Sequence, residues 1–191
     1  MPNDSSTGGF LAPLSTPAPL EDTALDAALQ VAVAGITGIS GSLVRPRWQP
    51  GNPKQPEPGV NWCAIGVTLI TPDAGPFIRH VGTGLGNDYY ARHETIELAC
   101  SFYGPGSGGN AAVLRDGLGI PQNLETLSAA GLAFIDCGEA VAMPELFNQQ
   151  WIKRVDLTVT FRRQVQRIFA IRNILSADPI LISDEIGIIA N

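Results

Sequence analysis

Charged side chains are scarce in this chain of 191 residues, and it has no excess of basic residues. Only 16% of the residues are charged, and 18 acidic residues against 12 basic ones give a formal net charge of −6. Nucleic-acid binders gain much of their affinity by neutralising phosphates, so this balance disfavours a general nucleic-acid-binding role. A surface with so few charges is poorly protected from association, and we expect partner proteins to cover part of it.

Cysteines are few, and signals for export or membrane insertion are missing. Cys63, Cys100 and Cys137 form no CxxC pair, so we expect free thiols that pack as small apolar groups. No apolar run approaches the roughly 18 residues that span a bilayer, and MPNDSSTGGF lacks the features of a signal peptide. The sequence therefore predicts a soluble protein, made in the cytoplasm, without a membrane partner.

One segment has the form of a cofactor motif, but its context is wrong. GPGSGG at residues 104–109 fits GxGxxG between a predicted strand and a helix, and Asp136 ends a later strand. A dinucleotide site would need one long helix after the loop, whereas Gly117, Gly119 and Pro121 divide this segment into two short helices. We favour a mobile glycine loop and predict no cofactor.

The sequence also lacks a recognisable catalytic or metal-binding constellation. His80 and His93 lie in a turn-rich segment, and no spacing supplies a third metal ligand or a supporting carboxylate. GxSxG and HExxH motifs are absent. We predict surface or interface histidines, no metal site and no enzymatic activity.

Composition divides the chain into three parts. Residues 1–20 are rich in Ser, Thr, Pro and Gly and predict a flexible N-terminal arm. Residues 21–175 predict a single domain. Residues 176–191 are apolar with two adjacent acids, and predict a C-terminal tail or an added edge strand.

The first half of the predicted domain contains a helix and two strands. EDTALDAALQVAVAGITG predicts a helix that Gly38 and Gly41 end; its apolar face contains Leu25, Leu29, Ala32, Val33 and Ile36. LVRPRWQP predicts a short edge strand, since Pro46 cannot donate a ladder hydrogen bond. VNWCAIGVTLI, residues 60–70, predicts a central strand covered on both faces.

The second half alternates turns, strands and short helices. Residues 71–93 predict a hairpin or long arm, and ETIELACSFYG predicts a half-buried strand. Short helices are expected at about 110–118 and 121–130, followed by a strand in LAFIDCG. The inward-facing row of the half-buried strand is Ile96, Leu98, Cys100 and Phe102.

The last strand, WIKRVDLTVTFRRQV, is unusually long. Fifteen residues at about 3.3 Å each reach roughly 50 Å, so the strand should overhang a small domain or bend at a bulge. The order of elements predicts an α+β fold: a largely antiparallel sheet with helices packed on one face, an extended N-terminal arm and long hairpin or loop arms.

Half of the basic residues lie in one span of this region. They are Lys153, Arg154, Arg162, Arg163, Arg167 and Arg172. On an alternating strand Arg162 shares the polar face of Asp156, whereas Arg163 continues the apolar row, which is best tolerated where the strand has left the core. A solvated overhang, contact with an acidic subunit and contact with nucleic acid all remain open.

Two further pairs are candidate interface residues. Tyr89 and Tyr90 are adjacent on an extended segment and face opposite ways, so one of them could anchor a partner or lie free on the surface. Asp184 and Glu185 lie near the C-terminus, where a solvated or partner-facing role is more plausible than catalysis.

The amino-acid sequences of three segments resemble those of a known family. VRPRWQ…NWCAIGV, IELACSFYGPGS…LRDGLGIPQNLETLSAAGLAFIDCG and MPELFNQQWIKRVDLTVTFRRQV, within residues 42–165, are similar to the neck or tail terminators of tailed phages. The resemblance implies a virion protein that forms a ring, expected to contain six subunits, between the head-side connector and the tail tube. It implies contacts with the connector, the tube and a sheath if one is present, while genomic DNA passes through the lumen without specific binding.

That implied role suggests a use for the arginine pair. We expect Arg162 and Arg163 to form part of an assembly surface on a strand that outruns its own domain. Replacing both with glutamate is then expected to leave the fold intact and to prevent ring stacking or head-tail joining.

Overall fold

The computed structural model describes residue 3 and residues 7–14, 19–49, 51, 53–147 and 149–172. Its helices are α1 (Asp22–Thr37), α2 (Ser107–Gly117) and α3 (Pro121–Ala129). Its strands are β1 (Val44–Pro46), β2 (Trp62–Pro72), β3 (Phe77–Val81), β4 (Asn87–Tyr103), β5 (Ala133–Cys137), β6 (Val141–Ala142), β7 (Glu145–Phe147), β8 (Gln150–Ile152) and β9 (Arg154–Phe169). Among the described helices, none has both the length and the apolar character that a bilayer crossing requires.

Seven of the described strands form one mixed sheet. Its order is β1-β2-β4-β9-β5, with β3 beside β4 and β6 beside β9, while β7 and β8 form a separate hairpin. β1 runs parallel to β2, and the other paired strands of the sheet are antiparallel. All three helices contribute to the hydrophobic cluster on one side of the sheet. The predicted α+β class is confirmed.

Strand alternation places the core on the side of the sheet that we call the helix face. The predicted inward row of β4, Ile96 to Phe102 in steps of two, is buried and packs with the odd-numbered Leu157, Val159 and Phe161 of β9. The intervening side chains point to the opposite side, which we call the open face. Cys63 and Cys100 lie in the helix-face core as free thiols, and Cys137 is a half-buried free thiol at its margin.

Helix α1 covers the middle of this core. Leu25, Leu29 and Val33 are buried in it, and Ala32 and Ile36 pack against it, as predicted. The helix ends where predicted because Gly38 adopts a left-handed conformation with φ of 72° and donates its N–H to the Ala34 carbonyl.

Strand β2 is covered on both faces only in its first half. Cys63 and Ile65 lie in the helix-face core, while Ala64 packs with Tyr103 and Ile152 on the open face. The prediction of a fully covered strand over residues 60–70 is wrong for its end, where Leu69 and Ile70 are exposed. β1, the predicted edge strand, lies beside only the first half of β2.

Strands β2 and β3 are two parts of one long hairpin arm. β2 pairs with β4 from Trp62↔Tyr103 to Pro72↔Glu94, and β3 continues along the same edge of β4 to Val81↔Asn87. Just after β2 ends, the Asp73 N–H donates to the His93 carbonyl at 3.0 Å and keeps the segment between β2 and β3 beside β4. The hairpin predicted within residues 71–93 is confirmed, and β4 is longer than its alternating sequence indicated.

The predicted final strand is divided near its start. β8 ends at Ile152 and pairs with β7, whereas β9 begins at Arg154 and pairs with β4. The carbonyl of the intervening Lys153 accepts the N–H of Gly104 at 3.0 Å. β9 then continues to Phe169, past the predicted end at residue 165.

Candidate assembly surface

Strands β4 and β9 extend beyond β5, the strand at one edge of the sheet. β9 pairs with β4 from Tyr103↔Arg154 to Asp88↔Phe169, whereas β5 accompanies β9 only as far as Arg162. Beyond that point β3, residues 87–94 of β4 and residues 163–169 of β9 form an antiparallel extension that we call the ribbon. The last strand therefore outruns β5, although Arg163 and Val165 stay buried on its helix face.

Arg162 lies on the open face at the start of the ribbon. It stands opposite Thr95 of β4, and its Nη2 donates to Asp73 Oδ2 at 2.6 Å. Both side chains of the pair are partly exposed. Arg162 therefore shares the polar face of β9, as predicted, but a carboxylate of its own chain already accompanies it.

Arg163 lies on the helix face and is buried. Only 7% of the residue is exposed, its Nε donates to Glu94 Oε1 at 2.6 Å, and Nη1 donates to the Leu20 carbonyl. Glu94 is itself 4% exposed. The expectation that Arg163 lies beyond the core on an assembly surface is wrong, because the segment before α1 folds over it.

This burial also corrects the expected effect of reversing both arginines. A glutamate at position 163 would place a second buried carboxylate against Glu94. Two buried like charges side by side are strongly unfavourable, so the double substitution should damage the fold itself.

Arg154 forms a polar cluster at the other end of β9. Its guanidinium donates to Asp156 at 2.7 and 2.8 Å and to Glu145 at 3.2 Å, and it lies 5.5 Å from the centre of the Tyr103 ring. Burial opposes ionisation of Asp156, but hydrogen bonds from Arg154 and Ser101 outweigh it and lower the pKa of this carboxyl group. The same hydrogen bonds to Asp156 are the main reason that the pKa of Arg154 is raised.

The other predicted contact residues do not join this cluster. Lys153 is exposed, and Arg167 lies on the helix face with Nη2 3.4 Å from Glu21 Oε1. Arg172 is exposed beside Gly8 of the N-terminal arm. Asp184 and Glu185 lie outside the described residues. The basic residues are thus distributed over both faces of β9, and intramolecular contacts accompany several of them.

Comparison with known proteins identifies the family of this chain. The family model for the phage neck terminator protein matches residues 23–186 of the chain. The chain belongs to this family. No curated protein matches the sequence. The match extends beyond residues 42–165 at both ends, and membership makes the chain a structural protein of the phage neck.

Two tyrosines occupy opposite faces of the ribbon of this neck terminator. Tyr89 lies on the open face, where the Arg79 guanidinium is 5.5 Å from the centre of its ring. Tyr90 lies on the helix face and meets Phe169 edge to face at 6.3 Å. Their predicted opposite orientation is found, both are half-buried, and their role as interface anchors stays a prediction.

An exposed apolar surface along the outer hairpin arm was not predicted from the sequence. Leu69, Phe77, Ile78 and Leu85 are all exposed there. The signal was present in GPFIRHV, where an apolar pair lies inside a turn-rich segment. No helix was predicted that could cover this pair. Exposed apolar side chains grouped on one projecting element are typical of surfaces that bind protein.

The glycine motif at residues 104–109 has a structural explanation. Gly104 has φ of 99°, and a Cβ there would lie 2.5 Å from the Val60 carbonyl oxygen. The Gly106 N–H donates to Asn61 Oδ1 at 2.8 Å. The expected mobile loop is therefore tied to the preceding segment, and its glycines permit close approach of the backbone.

No described group of three or more His, Cys, Asp or Glu side chains is placed to hold a metal ion. His80 lies on β3 with Nδ1 3.0 Å from Asp88 Oδ1, and His93 is exposed on β4. The imidazole of His80 thus lies next to a carboxylate of β4, the strand with which β3 pairs.

Proposed function

We propose that this neck terminator assembles into a closed ring, with six subunits as the expected number, that ends the tail tube and joins it to the head-side connector. The observation that carries the proposal is the ribbon, which extends past β5 and exposes apolar side chains on β3. Phe77 is 61% and Ile78 is 57% exposed on its outer strand. Such surface is normally covered in a stable assembly.

The distribution of cations supports protein contacts rather than DNA binding. Arg154 and Arg162 lie on the open face, and each is accompanied by carboxylates of its own chain. The chain carries a net charge of −6, which would reduce adhesion of phosphates to a lumen. Genomic DNA would therefore pass through the ring without specific binding.

Residues outside these pairs are the remaining candidates for contacts with other neck proteins. Lys153 and Arg172 are exposed, and we propose that they meet acidic groups of the connector, the tail tube or a sheath. Arg167, Tyr89 and Tyr90 are partly exposed on the ribbon and extend this surface. Asp184 and Glu185 would contribute carboxylates from the C-terminal segment.

Direct imaging tests the proposal. The purified protein, alone and mixed with tail tubes, would be examined by mass measurement and negative-stain microscopy, and virion necks would be imaged with the protein labelled. We expect closed rings at the tube end below the connector. Labelled necks without a closed ring of this chain would overturn the proposal, as would DNA binding that weakens steeply with salt, which would indicate a nucleic-acid-binding protein.

A further inference from the structure

A pocket of about 350 Å³ lies on the open face beside β1. Trp62 and Tyr103 line it from the sheet, and their rings stack with 4.2 Å between centres. Pro46, Pro53 and Pro56 line it from β1 and from the loop that leads to β2. The pocket therefore has apolar walls and a size typical of binding sites.

Two arginines, Arg45 and Arg47, give this pocket positive charge. Arg45 donates to the Ser42 and Lys54 carbonyls at 3.2 and 2.9 Å, which are neutral acceptors. Arg47 Nη2 donates to Ser101 Oγ at 2.7 Å, while its Nε is buried and has no hydrogen-bond partner among the described residues. A buried donor without an acceptor is unfavourable, so an acceptor supplied from outside the pocket would stabilise Arg47.

The carboxylates in the described part of the chain leave these two arginines without an ion pair. Six arginines elsewhere in that part form ion pairs with carboxylates: Arg92, Arg115, Arg154, Arg162, Arg163 and Arg167. The charge of Asp156 acts on Arg47, but both oxygens of this carboxylate accept hydrogen bonds from Arg154. Because guanidinium groups bind carboxylates strongly, an acidic group beside an apolar one fits this pocket.

The sequence of residues 173–191, which lie outside the described residues, has the complementary character. It contains Asp178, Asp184 and Glu185 and no lysine or arginine. The adjacent acids Asp184 and Glu185 stand between isoleucines in ILISDEIGII, residues 180–189. Two carboxylates flanked by apolar side chains match two guanidinium groups beside a tryptophan and prolines.

The pocket and the end of β9 lie at opposite ends of the sheet. Tyr103 of the pocket pairs with Arg154 at the start of β9, whereas β9 ends at Phe169. Residues 154 and 169 are therefore roughly 50 Å apart, at about 3.3 Å per residue. Asp184 follows Phe169 by the same number of residues, so it would reach the pocket of its own chain only along a fully extended, straight course. A neighbouring copy can place its pocket beside this segment without that constraint.

We propose that this pocket receives the acidic pair Asp184–Glu185 of a neighbouring copy, with the carboxylates bound by Arg45 and Arg47 and the flanking isoleucines packed against Trp62. The proposal rests on the proposed ring and names one of its subunit contacts. Because the contact joins different surfaces of two identical chains, it is heterologous and can repeat until a ring closes. A bound carboxylate would also supply the acceptor that Arg47 Nε lacks.

A double-mutant cycle in the whole chain tests the contact. The pocket variant is Arg45→Met with Arg47→Met, and the segment variant is Asp184→Asn with Glu185→Gln. We expect each to raise the protein concentration needed for ring formation by roughly tenfold or more, because each removes charged hydrogen bonds from every subunit contact. The combined variant should assemble no worse than either parent, because both parents lose the same interaction. Native mass spectrometry and sedimentation would measure the assembly.

Matched controls neutralise charges away from the contact. Arg115→Met alters an exposed arginine of α2, and Asp178→Asn alters the third acid of the C-terminal segment. Both should assemble as the wild type does. Thermal unfolding would show whether each variant keeps its fold, and Arg45→Met alone replaces the pocket variant if the loss of Arg47 lowers stability.

The possible results separate this contact from the ring itself. Losses that add in the combined variant would show that the pocket and the segment have different partners, and would overturn the proposal. Wild-type and variant rings that form equally well would also overturn it and leave the proposed ring standing. Wild-type protein that forms no ring, either alone or with tail tubes, would overturn both.

A disulfide trap provides a second measurement that does not depend on charge. In a Cys137→Ser background, Gln55→Cys protein mixed with Glu185→Cys protein should form a covalent heterodimer on mild oxidation, since Gln55 lines the pocket. Glu125→Cys, at an exposed position on α3, should form none with Glu185→Cys. Equal cross-linking of both pairs, or none in either, would contradict the proposed contact. A bridge that forms only when Gln55→Cys and Glu185→Cys are in the same chain would place the contact within one copy and overturn the proposal.

Discussion

Arg162 and Arg163 have opposite environments because successive residues of a strand point to opposite faces. Arg162 forms a partly exposed pair with Asp73, whereas Arg163 forms a buried pair with Glu94 and also donates to the Leu20 carbonyl. An exposed pair contributes little to stability, but removing one partner of a buried pair leaves an uncompensated charge in the interior.

Replacing Arg163 should therefore destabilise the fold strongly. We expect Arg163→Met to lower the free energy of unfolding by about 3 kcal/mol, the low end for broken buried pairs, because Arg92 still lies 3.6 Å from Glu94. Urea unfolding would measure the loss.

Arg162→Met is the matched control, and we expect a change below about 1 kcal/mol because its pair with Asp73 is half-exposed. The double variant Arg163→Met with Glu94→Leu should recover most of the loss, since the buried Glu94 carboxylate is removed together with Arg163 and the remaining Arg92 is partly exposed. Equal effects of the two arginine substitutions would contradict the assigned environments.

The Asp156 carboxyl predicts a pH dependence of stability. Because its pKa in the folded protein lies below the ordinary value, its contribution is complete above about pH 4 and is lost as the pH falls through the folded-state pKa. Asp156→Asn should be less stable than the wild type at neutral pH, and the difference should shrink with acidification. Urea unfolding between about pH 6 and pH 2 would measure it, and a difference that stays constant would contradict the lowered pKa.

Among the elements, helix α2 depends on the glycine that precedes it. We expect Gly104→Ala to lower the free energy of unfolding by about 2 kcal/mol or more, because φ of 99° disfavours any side chain and the new Cβ would meet the Val60 carbonyl. Thermal and urea unfolding would measure the change.

Gly109→Ala is the matched control for this substitution. Gly109 lies inside α2, and no atom is within 4 Å of a Cβ added there. Alanine favours helices over glycine by about 1 kcal/mol, so this variant should be neutral or more stable. A destabilised Gly109→Ala together with a neutral Gly104→Ala would show that the loop is not packed as described.

At the scale of the whole molecule, the described residues before α1 make two kinds of contact with the rest of the chain. The described arm residues 7–14 bury no side chain fully, and Leu14 donates its N–H to the Ile168 carbonyl on the ribbon. Leu20, in contrast, packs against the core and accepts a hydrogen bond from Arg163.

Two truncations separate these roles. Removal of residues 1–13 should change the free energy of unfolding by less than about 1 kcal/mol, because little apolar surface becomes exposed. Removal of residues 1–20 should cost about 2 kcal/mol or more, since it removes the Leu20 contact and an acceptor for a buried charge. Thermal unfolding would compare them, and equal effects would place the boundary elsewhere.

The sequence by itself determined the class of the fold, the main elements and the inward row of β4. Those features follow from periodicity and from glycine and proline positions, which act over a few residues. The family resemblance could also be recognised from the amino-acid sequence of segments within residues 42–165. The family model matches a longer range, residues 23–186.

Only the tertiary structure decided how each charge is used. Whether Arg163 is solvated or buried depends on Leu20, which is distant in sequence and is brought over the ribbon by the start of α1. The exposure of Ile70 and Ile78, which stand opposite helix-face residues of β4, depends on where the helical layer stops relative to the long strands. Local patterns fix which face a side chain takes, but only long-range packing determines whether another element covers that face.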